Sequence, residues 1–255
     1  MGKPQTQLPV FRYNRFEVRK MRRNLWLKLS IVLNLVLIVG LVYVVNKADL
    51  VENKSTKILN KSTVYPKYEQ KVSLFNSVVT REKVDVVFIG DSLTERSLWN
   101  EIFPDKIVVN RGIERDTTAG VLKRLDDIKR LHPDKVFLMI GINDLNFGVK
   151  VDKVFERYSS IVSTIQKNSP DTQLYLQSIL PVDDARNNTN NRSIDLLNKK
   201  IKSLATTDKI TYIDINSKLK GKRKGLDPKY SNDGLHIMGN AYIIWANTIR
   251  QYIEE

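Results

Sequence analysis

The chain has 255 residues, 42% of them hydrophobic, and is long enough to bury one sizeable core, so one catalytic-size domain is expected. It contains no cysteine, which excludes disulfide bonds, thiolate catalysis and cysteine-ligated metal sites. The formal net charge of +14 would by itself favour nucleic acid or an anionic surface as a partner. Half of this excess, however, lies in the first 28 residues.

The N-terminal segment combines a basic head with a long apolar run. No charged residue occurs from Leu29 to Val45, and together with Leu25 the run approaches the roughly 20 apolar residues that cross a bilayer. The sequence therefore predicts a basic head over 1–24 and one transmembrane helix over 25–45. Because basic flanks stay cytoplasmic, the rest of the chain is expected outside the cytoplasm.

Two other interpretations of this run are weaker. A buried helix of a soluble domain would show a polar face, whereas here Asn34 is the one strongly polar residue inside the run. A cleaved signal peptide would end in a pair of small residues, and none follows Val45. Residues 46–63 are polar and weakly periodic, which predicts a stalk between the membrane and a domain over 64–255.

The domain over 64–255 alternates short apolar runs with helical periodicity. One clear helical stripe extends from Val151 to Ile165, and the last helix has an apolar face from Ala241 to Tyr252. This alternation predicts a three-layer α/β/α sandwich with a parallel five-stranded sheet. The predicted strands are Val84–Ile89, Ile107–Asn110, Lys135–Ile140, Gln173–Ile179 and Ile210–Ile215.

Polar clusters follow these strands where a parallel sheet places its functional sites. Gly90–Thr94 follows the first strand, Asn110–Ile113 ends the second, Gly141–Asp144 follows the third, and Asp233–His236 precedes the final helix. Because ligands of such sheets bind beyond the carboxyl ends of the strands, we expect the four clusters to meet there.

The residue types in these clusters suit acyl transfer. Ser92 needs a base to remove its proton, and His236 with Asp233 three residues earlier can supply an oriented imidazole. The predicted catalytic residues are therefore Ser92, Asp233 and His236. The predicted oxyanion donors are the backbone N–H groups of Ser92 and Gly112 and the side-chain amide of Asn143. Taken alone, Ser92 could simply cap a helix, so the prediction depends on the whole set.

These motifs resemble the conserved blocks of the SGNH, or GDSL-like, hydrolase family. Gly90–Leu93 is similar to the first block, Gly112 to the second, Gly141–Asp144 to the third and Asp233–His236 to the fifth. The resemblance covers about residues 84 to 250. It implies a flavodoxin-like sheet, ester hydrolysis through an acyl-serine, and neither a metal nor an organic cofactor.

The expected function is a serine esterase at the outer cell surface that removes acyl groups, such as O-acetyl groups of envelope glycans. A lipid-directed esterase, such as a lysophospholipase or an enzyme like platelet-activating-factor acetylhydrolase, is an alternative, as are a transacylase and a non-catalytic envelope-binding scaffold. The basic stretch Lys218–Lys229 could attract an anionic polymer or could be a solvated loop. The sequence has neither a phosphate-binding loop nor an aromatic-basic platform, which disfavours nucleotides and nucleic acid as partners. The oligomeric state is not predicted.

Overall fold

The protein is described by a computed structural model that covers two compact units, Met1–Lys54 and Ser55–Glu255. The residues described are Arg22, Trp26 and the ranges 29–30, 33–43, 66–78, 83–222 and 224–254. The predicted stalk over 46–63 and most of the predicted basic head lie outside these residues.

In the N-terminal unit, the described residues are helical, and 33–43 form the longest continuous stretch. No helix among the described residues has both the length and the apolar character needed to cross a bilayer. The remaining positions of the span predicted over 25–45 lie outside the described part of the chain.

The second unit contains the predicted five-stranded parallel sheet. Its strand order is β2-β1-β3-β4-β5, and every neighbouring pair is parallel. The α/β fold and the five strands are therefore confirmed, with ends that differ from the predicted ones by at most two residues. The strands are β1 (Val86–Gly90), β2 (Val108–Gly112), β3 (Lys135–Met139), β4 (Gln173–Gln177) and β5 (Ile210–Ile213).

Helices cover both faces of the sheet. On one face, the apolar stripe of the longest helix buries Val154, Tyr158 and Ile161, as its periodicity predicts. The helices of this unit are α1 (Pro66–Ser77), α2 (Ser92–Glu95), α3 (Trp99–Ile102), α4 (Thr118–Leu122), α5 (Asp126–Leu131), α6 (Ile142–Asn146), α7 (Val151–Asn168), α8 (Asn191–Lys202), α9 (Asn216–Leu219) and α10 (Gly239–Glu254).

The other face carries an aromatic core. Phe88, Phe137 and Tyr175 occupy aligned positions of β1, β3 and β4, with ring centroids 5.1 and 4.5 Å apart. Trp99 of α3 stacks on Phe88 at 4.1 Å, and Trp245 of α10 meets Trp99 edge-on at 5.0 Å. These contacts anchor the last helix, and hence the segment before it, to the strand that leads to Ser92.

The strand register brings the carboxyl ends of the first three strands together. Gly90, the last residue of β1, pairs with Gly112 of β2 on one side and Met139 of β3 on the other. The loops that follow these strands therefore start side by side at one edge of the sheet, as predicted for a parallel α/β fold.

Helix α1 was not predicted, although it lies within the proposed domain. It buries Tyr68 and Phe75 against Ile113 of the loop after β2. The Tyr68 hydroxyl donates to the carbonyl of Gly120 at 2.7 Å. Its apolar residues are few, so it gives only a weak helical pattern in the sequence, and its position depends on these distant contacts.

Candidate active site

The structure brings the three predicted catalytic side chains into one chain of hydrogen bonds. The distance from Ser92 Oγ to His236 Nε2 is 3.0 Å, and from His236 Nδ1 to Asp233 Oδ2 it is 2.7 Å. Ser92 is buried, with 5% of its surface exposed, whereas 49% of the Asp233 side chain is exposed. A base is thus in hydrogen-bond reach of the hydroxyl, and an acid orients the base.

Asp233 also fixes the shape of its own loop. Its Oδ1 accepts the backbone N–H groups of Leu235 and His236, at 2.9 and 2.8 Å. Partial burial alone would raise the pKa of Asp233, but the hydrogen bonds from the His236 ring and from these two N–H groups lower it to about 2. Asp233 therefore stays ionised at any ordinary pH and keeps accepting from the imidazole.

Ser92 is placed by the turn between β1 and α2. Asp91 caps α2, because its Oδ1 accepts the N–H of Leu93 at 3.0 Å. Ser92 is the first residue of that helix, so its N–H has no carbonyl partner within the helix. The hydroxyl of Tyr242, from α10, donates to the carbonyl of Leu93 at 2.8 Å. This bond ties the turn that carries Ser92 to the helix that follows His236.

Asn143 lies at the same edge of the sheet, in α6. Its Nδ2 donates to the carbonyl of Asp116 at 2.9 Å. An amide nitrogen carries two hydrogens, so this bond uses one of them and orients the side chain. Asn143 is nearly buried, with 8% exposed, as a preorganised donor should be.

The oxyanion-donor role of Gly112 stays a prediction. In this structure its N–H donates to Asn110 Oδ1 at 2.9 Å. A Cβ at this position would lie 2.2 Å from the backbone nitrogen of Glu95, so the missing side chain allows β2 to pack against α2. The sequence predicted that the missing side chain of Gly112 permits a close approach, and in the structure helix α2 makes that approach.

Asn110 links strand β2 to helix α2 and was not among the predicted site residues. Its Nδ2 lies 3.0 Å from the carbonyl of Thr94 and 3.2 Å from that of Glu95, while its Oδ1 accepts from Gly112. The amide nitrogen of Asn110 thus holds the end of α2, while its oxygen accepts from the last residue of β2. The available signal was a polar residue inside the apolar strand β2, two residues before its terminal glycine.

Three buried carboxyl groups lie beneath the site and connect its loops. Asp144 accepts from the N–H and hydroxyl of Thr118, at 2.8 and 2.7 Å. Asp116 accepts from Arg124, whose Nη2 also donates to the carbonyl of Gly90 at 3.2 Å. Burial raises the pKa of Asp91 to about 7 and that of Asp144 to about 6. These contacts agree with structural roles for Asp91 and Asp144.

Comparison with known proteins gives this site a family. The profile of the GDSL-like Lipase/Acylhydrolase family matches residues 88–242, which include Ser92, Asn143, Asp233 and His236. The chain belongs to this family. The resemblance inferred from the four sequence blocks is therefore confirmed.

Individual relatives of this GDSL-like protein match only in part. It is 31% identical over 103 residues to platelet-activating factor acetylhydrolase IB subunit alpha1 of Bos taurus, covering 38% of this chain and 44% of that one. It is 24% identical over 193 residues to N-acylneuraminate cytidylyltransferase of Streptococcus agalactiae, covering 71% of this chain and 46% of that one. The chain thus spans less than half the length of these two curated relatives.

A solved structure resembles it over more of its length. A GDSL-like lipase from Bacteroides thetaiotaomicron is 26% identical with a TM-score of 0.63, and the match covers 73% of this chain and 97% of that one. Family membership and the arrangement of Ser92, His236 and Asp233 together support a serine ester hydrolase. Among the described residues, no group of three or more metal-ligating side chains is found.

Proposed function

We propose that the chain is a serine ester hydrolase in which Ser92 is the nucleophile. His236 removes the Ser92 proton as the hydroxyl attacks the acyl carbon, then returns it to the departing alcohol. A water activated by His236 releases the acyl group in the second half of the reaction. The observation that carries this proposal is the continuous contact from Ser92 Oγ through the His236 ring to Asp233, at 3.0 and 2.7 Å.

The proposed oxyanion donors are the Ser92 N–H and the Asn143 side chain. The first is the open N–H at the start of α2, and the second is an amide held in place by the Asp116 carbonyl. In a site that excludes water, donors of this kind stabilise the negative charge that develops on the acyl oxygen.

The proposed substrates are esters of short acyl groups, in particular O-acetyl esters of envelope glycans. Support for a small acyl group comes from the 31% identity to an acetylhydrolase subunit. The same relative favours a second candidate, a lipid-directed esterase, because it is a subunit of a platelet-activating factor acetylhydrolase.

An acetate-release assay with the full-length chain in detergent distinguishes the glycan esterase from the lipid-directed esterase. We expect Ser92-dependent release of acetate from p-nitrophenyl acetate and from an O-acetylated glycan, with slower release from an acetylated phospholipid. The reverse order would favour the lipid-directed enzyme. Acetate recovered on an added sugar instead of in solution would indicate a transacylase. No release by wild type from any of the three esters would leave the non-catalytic scaffold.

We also propose that residues 25–45 anchor the domain to the cell membrane, with the basic head cytoplasmic and the domain outside. The charge-free run from Leu29 to Val45 supports this, and in its described part the apolar side chains of Leu37 and Leu41 are 61% and 65% exposed. Protease added outside intact cells should degrade the domain and leave the head. A fully protected domain would reverse this topology.

A further inference from the structure

The loop between β2 and α4 crosses the edge of the proposed active site. At one end of this loop, the N–H of Glu114 donates to Glu95 Oε2 at 2.5 Å, and Glu95 ends the helix that begins at Ser92. At the other end, the carbonyl of Asp116 accepts from Asn143 at 2.9 Å. Arg115 is the residue between them, so it lies in the stretch that connects the helix of Ser92 to the proposed oxyanion donor Asn143.

Arg115 occupies a backbone conformation that favours glycine. Its φ is +62°, in the left-handed region where a Cβ is strained. Of the other described non-glycine residues with positive φ, His132 ends helix α5 and Lys224 lies in the loop after α9. Arg115 lies in the loop that follows the carboxyl end of β2, and β2 pairs with the strand that leads to Ser92. A strained residue at such a place points to a use for its side chain.

The side chain of Arg115 is held at the rim of the site. The residue is exposed, and its Cζ lies 5.6 Å from the ring centroid of Phe147, which follows the helix that carries Asn143. A guanidinium group carries five N–H donors, so an arginine that contacts neighbouring groups can also bind an acceptor.

The surrounding charges favour an anionic ligand. Glu114 is paired with Lys67 at 2.5 Å and Glu95 with Lys71 at 3.0 Å, and Arg96 lies 3.7 Å from Glu114. We call these side chains, together with Arg115, the rim. It holds four cationic groups and two carboxylates. Helix α1 supplies both lysines, so its docking against the loop after β2 makes this rim positive.

We propose that Arg115 binds an anionic group of the substrate, and hence that the preferred esters carry a carboxylate or phosphate near the scissile bond. This inference rests on the proposed function and narrows its substrate class. A guanidinium group binds either anion through paired N–H donors, which fixes the ester relative to Ser92. Arg115 is thus assigned as a substrate-binding and specificity residue with no part in proton transfer.

The test compares matched esters with the full-length chain. The probes are 4-acetoxybenzoate, 4-acetoxyphenyl phosphate and the neutral methyl 4-acetoxybenzoate. For wild type we expect a KM at least about 10-fold lower for one or both anionic esters, with the preferred anion identifying its class. Arg115→Gly, which suits the positive φ, should remove this preference, leave kcat/KM for the neutral ester within about 2-fold, and keep the Tm within about 3 °C.

Two further variants complete the design. Arg115→Lys should retain part of the preference, and Lys224→Gly, the same kind of backbone change elsewhere, should retain all of it. Equal KM values for charged and neutral esters in wild type would overturn the inference. An equal loss of kcat/KM for the charged and the neutral esters in Arg115→Gly would also overturn it, because that result would indicate a positioning role.

The failure of the proposed function gives a different result. Binding of the anionic esters to Ser92→Ala, measured by calorimetry, does not require turnover. Tighter binding of the charged ester that disappears in Ser92→Ala/Arg115→Gly would uphold the anion site even if wild type hydrolysed no ester. Turnover without such a difference in binding would uphold the esterase and reject the anion site.

Discussion

Replacement of Ser92 with alanine is expected to lower kcat for p-nitrophenyl acetate by about 10⁴- to 10⁶-fold, with little change in stability. The side chain loses only the hydroxyl, which faces His236 Nε2 at 3.0 Å. No acyl-enzyme can then form, and the remaining rate reflects binding and the oxyanion donors alone. The measurement is steady-state kinetics with purified protein, accompanied by a thermal melt.

Two controls make this result specific. His236→Ala should cost about as much as Ser92→Ala, and the double variant should be no slower, because the two groups act in one step. Ser97→Ala removes another buried hydroxyl five residues away, one with no hydrogen-bond partner in the structure, and should leave kcat within about 2-fold. Turnover by Ser92→Ala at the wild-type rate would refute the assignment of the nucleophile.

The elements that could be predicted from the sequence are those whose burial is repetitive. The strands β1 and β3 are nearly continuous apolar runs because both of their faces are covered, and α7 carries one regular stripe. Their local pattern therefore reflects their environment directly. The spacing of Val121, Leu125 and Ile128 predicts one helix, but the structure divides this segment into α4 and α5.

Features that depend on distant contacts could not be predicted. Helix α1 owes its place to Tyr68 and Phe75 packing on a loop some 40 residues later, which leaves little trace in its own composition. The packing of Gly112 also depends on a contact with a residue distant in the sequence. A glycine at a strand end is compatible with close approach of either a ligand or another backbone, and only the position of Glu95 decides between them.

Much of the candidate site followed from one topological rule. In a parallel sheet the loops after successive strands share an edge, so residues as far apart as Ser92 and His236 could be expected to meet. The rule locates clusters but does not say which partner each donor takes. For that reason the sequence did not predict the hydrogen bonds of Asn110 and Tyr242 or the charged rim around Arg115, which the structure shows.

Replacement of Asp233 with asparagine is expected to lower kcat by about 10²- to 10⁴-fold. Asp→Asn in a buried serine-protease triad costs about 10⁴-fold, and the smaller values allow for the exposure of this carboxylate to screening by solvent. The oxygen of the introduced amide can still accept the two backbone N–H groups that shape the loop. The nitrogen of that amide would then face His236 Nδ1 and favour the tautomer with hydrogen on Nε2, which donates towards Ser92 where a base must accept.

The acid side of the pH profile gives an independent check on this aspartate. Because hydrogen bonds lower its folded-state pKa to about 2 from an ordinary 3.8, its contribution to stability is complete above pH ~4 and is lost as the pH falls towards 2. Wild type should therefore lose more stability than Asp233→Asn between pH 4 and 2, measured by urea unfolding.

The kinetic control is Asp227→Asn, which alters another loop aspartate that accepts a backbone N–H and should keep wild-type kcat. If Asp233→Asn also kept it, His236 would need no carboxylate partner, and the third member of the proposed triad would be incorrect.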